Sequence, residues 1–232
     1  MFLDSLVNSL ASLIIPVYCI KCSREGRILC ITCHNLFQNS PDLKPITFTT
    51  VSNVGSLRIG SYLPFSEVVS KLVLGAKDDG NRLLEQIIVQ SLLKARSNFP
   101  PNLILVPIPA SRRAKRKRGR DFTRDIACAI SRQSGDLVIP ALQCKDRVAP
   151  QKTLNASSRM VNMKGAFSLR TNLSAQKKNL LHAREILLVD DVVTTGATMR
   201  EGLRALASGG AHCLGGISAV YSLNWSISHP AH

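Results

Sequence analysis

Two short stretches of this chain hold residue types that can do chemistry. Near the amino end, Cys19, Cys22, Cys30 and Cys33 form C-x2-C-x7-C-x2-C. Each knuckle can turn a pair of thiolates toward one tetrahedral ion, and zinc is soft and redox-inert enough to suit such a sulfur set. Gly26 supplies a turn inside the spacer. Four thiolates leave no open coordination position, so the expected role is structural. His34, next to Cys33, reads as a bystander.

The second stretch runs from Glu185 to Thr198. An apolar strand meets Asp190 and Asp191, passes Val192 and Val193, and enters Thr194-Thr195-Gly196-Ala197-Thr198. A helix follows, with Leu203 and Leu206 on one face and Gly209-Gly210 as its stop. Strand, loop and helix gather polar groups at the carboxyl end of a strand, where doubly wound sheets hold ligands. The free N–H groups of the turn, the helix dipole and the threonine hydroxyls suit a phosphate. Asp190 and Asp191 can accept hydrogen bonds from vicinal sugar hydroxyls or hold Mg²⁺ through water. On spacing alone the same pair could cap a helix or bind a metal in a phosphatase-like site.

A third stretch carries charge. Seven of the nine residues from Arg112 to Arg120 are Arg or Lys. One-signed runs repel themselves and favour an anionic neighbour, so Lys115, Arg116, Lys117, Arg118 and Arg120 are candidate contacts for nucleic acid or another anion. A solvated face is the plainer alternative. Phe122 is the one aromatic close by, which favours phosphate contact over base stacking.

The rest of the chain must position these groups. Its 232 residues are 45% hydrophobic and 19% charged, which excludes the core-poor disordered class. The net charge of +15 points to anionic partners. An odd number of cysteines, seven, without an export signal points to a reducing compartment, so the expected location is cytoplasmic. The apolar run Leu10 to Ile20 contains Ser12 and Pro16 and is too short for a bilayer, so neither signal peptide nor membrane span is expected.

Phe2, Leu3, Leu6, Leu10 and Leu13 recur at helical spacing. Short strands are expected over Ile46–Val51 and Leu57–Leu63, helices over Ser66–Gly75 and Asn81–Ala95, and a buried strand over Leu103–Val106. An amphipathic helix from Asn155 accounts for Leu154, Met160 and Met163. Cys128, Cys144 and Cys213 read as small buried hydrophobes, and His182 and His212 as non-catalytic. The expected fold is α/β, a mostly parallel sheet with helices on both faces, a small hood from residues 46–65 and a small metal-bearing module at the amino end. The division falls into 1–42, a helix and double zinc-ribbon-like finger, and 43–232, the main domain.

The run Val189-Asp190-Asp191-Val192-Val193-Thr194-Thr195-Gly196-Ala197-Thr198 closely resembles the phosphoribosyl pyrophosphate (PRPP) signature of type I phosphoribosyltransferases. Together with the cysteine head, Val106-Pro107-Ile108-Pro109, Arg118-Gly119, Gln151 with Leu154, Arg159, Asn162 and Phe167, it makes the chain resemble the ComF family from the first cysteine to the last strand. The resemblance implies a zinc finger fused to a type I phosphoribosyltransferase fold, linked in naturally transformable bacteria to incoming single-stranded DNA. Asp190 and Asp191 would take the ribose hydroxyls as the catalytic pair, and Val192 to Thr198 would surround the 5′-phosphate. Arg112 and Arg113 would neutralise pyrophosphate, with Mg²⁺ accompanying PRPP. Partners would be PRPP or a related phosphorylated sugar, and single-stranded DNA or DNA-uptake proteins.

One departure stands out. The family commonly reads Arg-Gly-Phe-Asn where this chain reads Arg118-Gly119-Arg120-Asp121, which replaces an amide with an acid able to pair with a neighbouring Arg. Two functions follow: phosphoribosyl transfer to an unidentified acceptor, or PRPP and DNA binding without turnover.

Overall fold

Continuous apolar runs build the centre of the molecule. In the computed structural model, which describes residues 16–52, 55–145 and 165–222, the strands β4 (Ile104–Pro107), β8 (Ile186–Val193) and β9 (Cys213–Tyr221) are almost wholly buried, as parallel strands covered on both faces must be. The helices expected over 2–13 and from Asn155, with Gln151, Arg159 and Asn162, lie outside the described residues.

The main sheet has the order β1-β2-β9-β8-β4-β5, with β3 also paired to β9. Here β1 is Ile46–Ser52, β2 Gly55–Ser61, β3 Leu63–Pro64 and β5 Leu137–Val138. β1 and β2 run antiparallel, with Ile46 opposite Ser61, and the other pairings of this sheet are parallel.

The hood expected from residues 46–65 is therefore corrected: this segment extends the main sheet. Phe48, Leu57, Ile59 and Leu63 are buried, so its strands need cover that a hood does not give. Gly60 lets the segment in, because a Cβ there would lie 2.9 Å from the Ala95 carbonyl oxygen. A separate antiparallel pair, β6 (Leu142–Cys144) and β7 (Phe167–Leu169), is the small second sheet.

Seven helices occur among the described residues. They are α1 (Ile31–Asn39), α2 (Glu67–Lys77), α3 (Arg82–Arg96), α4 (Arg112–Arg118), α5 (Phe122–Ser134), α6 (Ala175–Ala183) and α7 (Ala197–Ala207). Local chemistry sets their starts: Ser66 Oγ accepts the Val69 N–H, and the Asn81 side chain accepts from Leu83 and Leu84. Gly135 ends α5 in the left-handed conformation at φ 75°.

Helices cover both faces of the sheet. Leu72, Ile88, Leu92, Ile126 and Ile130 pack with Leu105, Leu187, Val189 and Ile217. On the other face Leu181, Met199, Leu203 and Leu206 pack with Ile104, Val106, Ile186 and Leu188. Cys19, Leu29, Cys33 and Phe37 belong to the first of these cores, and helix α1 of the cysteine module packs with α3. Lys94 fastens it by donating to the Tyr62 hydroxyl at 2.8 Å and to the Gln38 carbonyl. No helix among the described residues is long and apolar enough to cross a membrane.

Of the three scattered cysteines, Cys213 is buried, and burial pushes its thiol up to about 12. Cys128 and Cys144 are only half-buried, which corrects the expectation for them. Cys144 closes a three-residue strand at the wall of a cavity, where full cover is not available.

Candidate functional site

The acids of β8 sit inside the strand and not at its terminus. β8 continues to Val193, which pairs with Tyr221 on β9, and Ser222 N–H donates to the Val193 carbonyl at 3.0 Å. Thr194 and Thr195 then turn the chain, and Gly196 starts α7 at φ 67°, a left-handed conformation that glycine adopts without strain. Thr195 Oγ1 accepts the Ala197 N–H at 3.4 Å. The first-turn N–H groups of a helix have no acceptor within it, and in α7 this hydroxyl serves the first of them.

A cavity of about 620 Å³ lies beside these groups. Asp190, Asp191 and Thr198 line one side. Facing them is the segment leaving β4, from Ile108 through Arg112, Arg113 and Ala114. Cys144, Lys145, Ala166 and Phe167 come from the small sheet and its flanks, while Lys77, Arg118, Phe122 and Thr123 complete the lining. An adjoining hollow of about 30 Å³ is formed by Asp190 and Val192 to Met199. It has room for about two water-sized groups.

The electrostatics of the acids are unequal. Burial, and then the neighbouring Asp191, pushes the Asp190 carboxyl well above the usual carboxylate range. Its Oδ1 accepts the Asp191 N–H at 2.9 Å. Asp191, with only 6% of its side chain exposed, forms an ion pair with Lys77 Nζ. Lys77 was not among the residues singled out by the sequence. A buried carboxylate requires a cation, but 114 residues separate these two and nothing local marks the partner.

The structure thus gathers Asp190, Asp191, Thr198, Arg112 and Arg113 on one cavity, with Val192, Val193, Thr194, Thr195, Gly196 and Ala197 around the adjoining hollow. The basic run is not one uniform surface. Lys115 pairs with Asp121, Arg118 with Asp78 at 2.5 Å, and Arg120 with Glu85 at 2.8 Å. Arg116 and Lys117 are exposed on α4 and do not line the cavity. Folding brings Asp78, just after α2, Glu85 of α3 and Asp121, just before α5, against the run. Asp121 pairs with Lys115, and its Oδ1 is buried without a hydrogen-bond partner among the described residues.

At the amino end the four sulfurs of Cys19, Cys22, Cys30 and Cys33 lie within 4.8 Å of one another. Cys22 Sγ is 3.7 Å from Cys30 Sγ. A tetrahedral site with bonds of about 2.3 Å has sulfur–sulfur edges of about 3.8 Å, so the set suits a metal such as zinc. The first knuckle is folded by Cys19 N–H donating to the Arg24 carbonyl at 2.8 Å and by Gly26 at φ 111°. The second uses α1, with Cys30 just before the helix and Cys33 in its first turn.

Burial pushes the Cys19 thiol up, but hydrogen bonds from the backbone of Cys30, Cys22 and Lys21 outweigh it and bring it down to about 6. Burial, with the other sulfurs beside it, pushes Cys33 up to about 12. His34 lies outside the set and faces Gln38 at 3.2 Å.

The phosphoribosyl transferase domain family matches residues 145–223. Competence protein F of Haemophilus influenzae is 27% identical over 191 residues, covering 79% of this chain and 76% of its own. Among solved structures, adenine phosphoribosyltransferase from Saccharomyces cerevisiae aligns at 15% identity over 65% of this chain and 76% of its own, with a TM-score of 0.38. The allosteric regulatory enzyme of purine biosynthesis aligns at 15% identity over 56% of this chain, with a TM-score of 0.34, and this chain spans 23% of that enzyme's length. The chain is accordingly similar to competence protein F, and it combines a region matching the phosphoribosyl transferase domain family with a four-cysteine cluster.

Proposed function

We propose that the cavity binds PRPP together with Mg²⁺. The observation that carries this reading is the shared lining: Asp190, Asp191 and Thr198 on one side of a single cavity, with Arg112, Arg113 and Arg118 also on it. In this reading Asp190 and Asp191 accept the ribose hydroxyls. The N–H groups at the start of α7 and the hydroxyls of Thr194, Thr195 and Thr198 hold the 5′-phosphate. Arg112 and Arg113 take the pyrophosphate.

Two carboxylates on a cavity fit Mg²⁺, which binds proteins through one or two carboxylates plus substrate phosphates. When bound, it supplies positive charge against the departing pyrophosphate. The protein's own work is positioning and electrostatics, because phosphoribosyl transfer to a nitrogen acceptor needs no side-chain nucleophile. Residues 1–42 would carry structural zinc, in a cytoplasm that keeps thiolates reduced, and residues 43–232 would hold the ligand.

A second reading is binding without turnover, with α4 engaging single-stranded DNA taken up by the cell. The exposed Arg116 and Lys117 favour it, as does the name of the competence relative.

Thermal unfolding with PRPP and Mg²⁺ tests the cavity. Ligand at a hundred times its Kd stabilises the folded chain by about 2.7 kcal/mol. The rise in Tm should largely vanish in the double variant Asp190→Asn, Asp191→Asn. Equal shifts in both proteins would reject the assignment. Pyrophosphate release across a panel of nucleobases and amines then separates transfer from binding.

A further inference from the structure

Lys77 and Asp78 are consecutive, oppositely charged and each paired with an oppositely charged residue of the cavity. Lys77 Nζ meets Asp191 Oδ2 on β8. Asp78 Oδ1 accepts from Arg118 Nε at 2.5 Å. Asp191 and Arg118 both line the cavity, and their side chains are 6% and 18% exposed. Opening either pair alone leaves a poorly hydrated charge without its partner, which is costly. The hydrogen bond from Arg118, reinforced by Lys117 and Lys77, holds the Asp78 carboxyl below its usual range.

We infer that Lys77 and Asp78 stand in for the cation and the anion of a metal-bound diphosphate, and so make the cavity selective for a ligand that brings both charges. The inference rests on the reading of the cavity as a PRPP site. A bare anion arriving at Arg118 meets the Asp78 carboxylate, and a bare divalent cation arriving at Asp191 meets the Lys77 ammonium. Each single exchange therefore sets like charges side by side. A ligand carrying both releases Lys77 and Asp78 together, and these two neighbouring groups of opposite charge then offset each other. Metal and diphosphate should accordingly bind with positive coupling.

Calorimetric titration of the full, zinc-loaded chain tests this with three probes: inorganic pyrophosphate without magnesium, MgCl₂ alone, and PRPP with MgCl₂. Asp78→Asn should tighten pyrophosphate binding in the absence of magnesium by about fivefold, the scale of one partly exposed ion pair. Lys77→Met should tighten Mg²⁺ alone by a similar factor. Asp79→Asn removes the same charge one residue away, from an exposed side chain, and should match wild type.

Lys77→Met leaves Asp191 buried without its cation and can destabilise the fold; Asp78→Asn changes a surface group and carries the test by itself. If wild type binds PRPP with magnesium while Asp78→Asn, or Asp78→Asn and Asp79→Asn alike, shows no specific gain for pyrophosphate, the inference is overturned and the cavity reading stands. If wild type binds none of the probes, both fall.

Discussion

The carboxylate of Glu201 accepts the backbone N–H of Phe167 at 3.0 Å, across 34 residues of sequence. Arg204, one turn further along α7, donates to the Phe167 carbonyl at 2.9 Å and to Glu201 at 2.7 Å. Both backbone groups of one residue in β7 are thus held by side chains of the helix whose first turn faces the candidate phosphate hollow. Phe167 lines the larger cavity, so its wall and the loop are carried by one element.

Glu201→Ala should therefore do more than remove a surface charge. Glu201 is buried, and its loss leaves the Phe167 N–H without its acceptor and Arg204 without its ion-pair partner, holding only the Phe167 carbonyl. Breaking such a pair costs about 3 kcal/mol. The urea midpoint should fall with the slope unchanged. A midpoint within error of wild type would show that β7 is held by its apolar contacts alone.

Acid should unfold the protein through two carboxylates. Asp136 is fully covered: burial pushes its carboxyl up, but the Arg96 guanidinium at 2.6 and 2.7 Å, Ser134 and the Leu103 N–H outweigh this and hold it below the usual range. Burial likewise pushes Glu201 up, and Arg204 with the N–H groups of Phe167 and Gly165 brings it down. A folded value below the unfolded one adds stability that is present above about pH 4 and is lost as pH falls through the lowered value. Urea midpoints measured from pH 7 to pH 3 should stay level and then decline below about pH 4. Asp136→Asn should start lower and show a shallower decline, and an unaltered decline would assign the acid limb to other groups.

Zinc removal should be felt beyond the cysteine module. Cys19 and Cys33 share a buried cluster with Leu29, Phe37 and residues of α2 and α3. Cys19→Ser should abolish stoichiometric zinc by elemental analysis and lower the Tm of the whole chain, because metal binding and folding of such sites are coupled. Wild-type protein purified without zinc or another divalent metal would defeat this.

The single-stranded DNA reading makes a separate demand on α4. Arg118 and Arg120 are occupied by Asp78 and Glu85, so Arg116 and Lys117 are the basic residues to alter. Changing both to Glu should reduce the slope of log K against log salt by about 1.4, since each phosphate contact on a single strand contributes about 0.7. An unaltered slope would return α4 to the status of a solvated helix.

What the sequence by itself determined is what neighbouring residues decide among themselves. Apolar runs at Ile104–Val106 and Ile186–Val189, the caps Ser66 and Asn81, and the glycine that opens α7 act over a few residues, so strands, helices and the threonine turn were legible. The two cysteine knuckles were legible for the same reason, since spacing fixes how thiolates converge. Tertiary structure decided the rest. Lys77 reaching Asp191, Arg96 reaching Asp136 and Glu201 reaching Phe167 join segments 114, 40 and 34 residues apart, and each forms because burial forces a charge or an N–H to find whatever partner the fold brings near. The same force placed residues 46–64 in the main sheet and paired Lys115, Arg118 and Arg120 of a basic run that, read along the chain, has no acid within it.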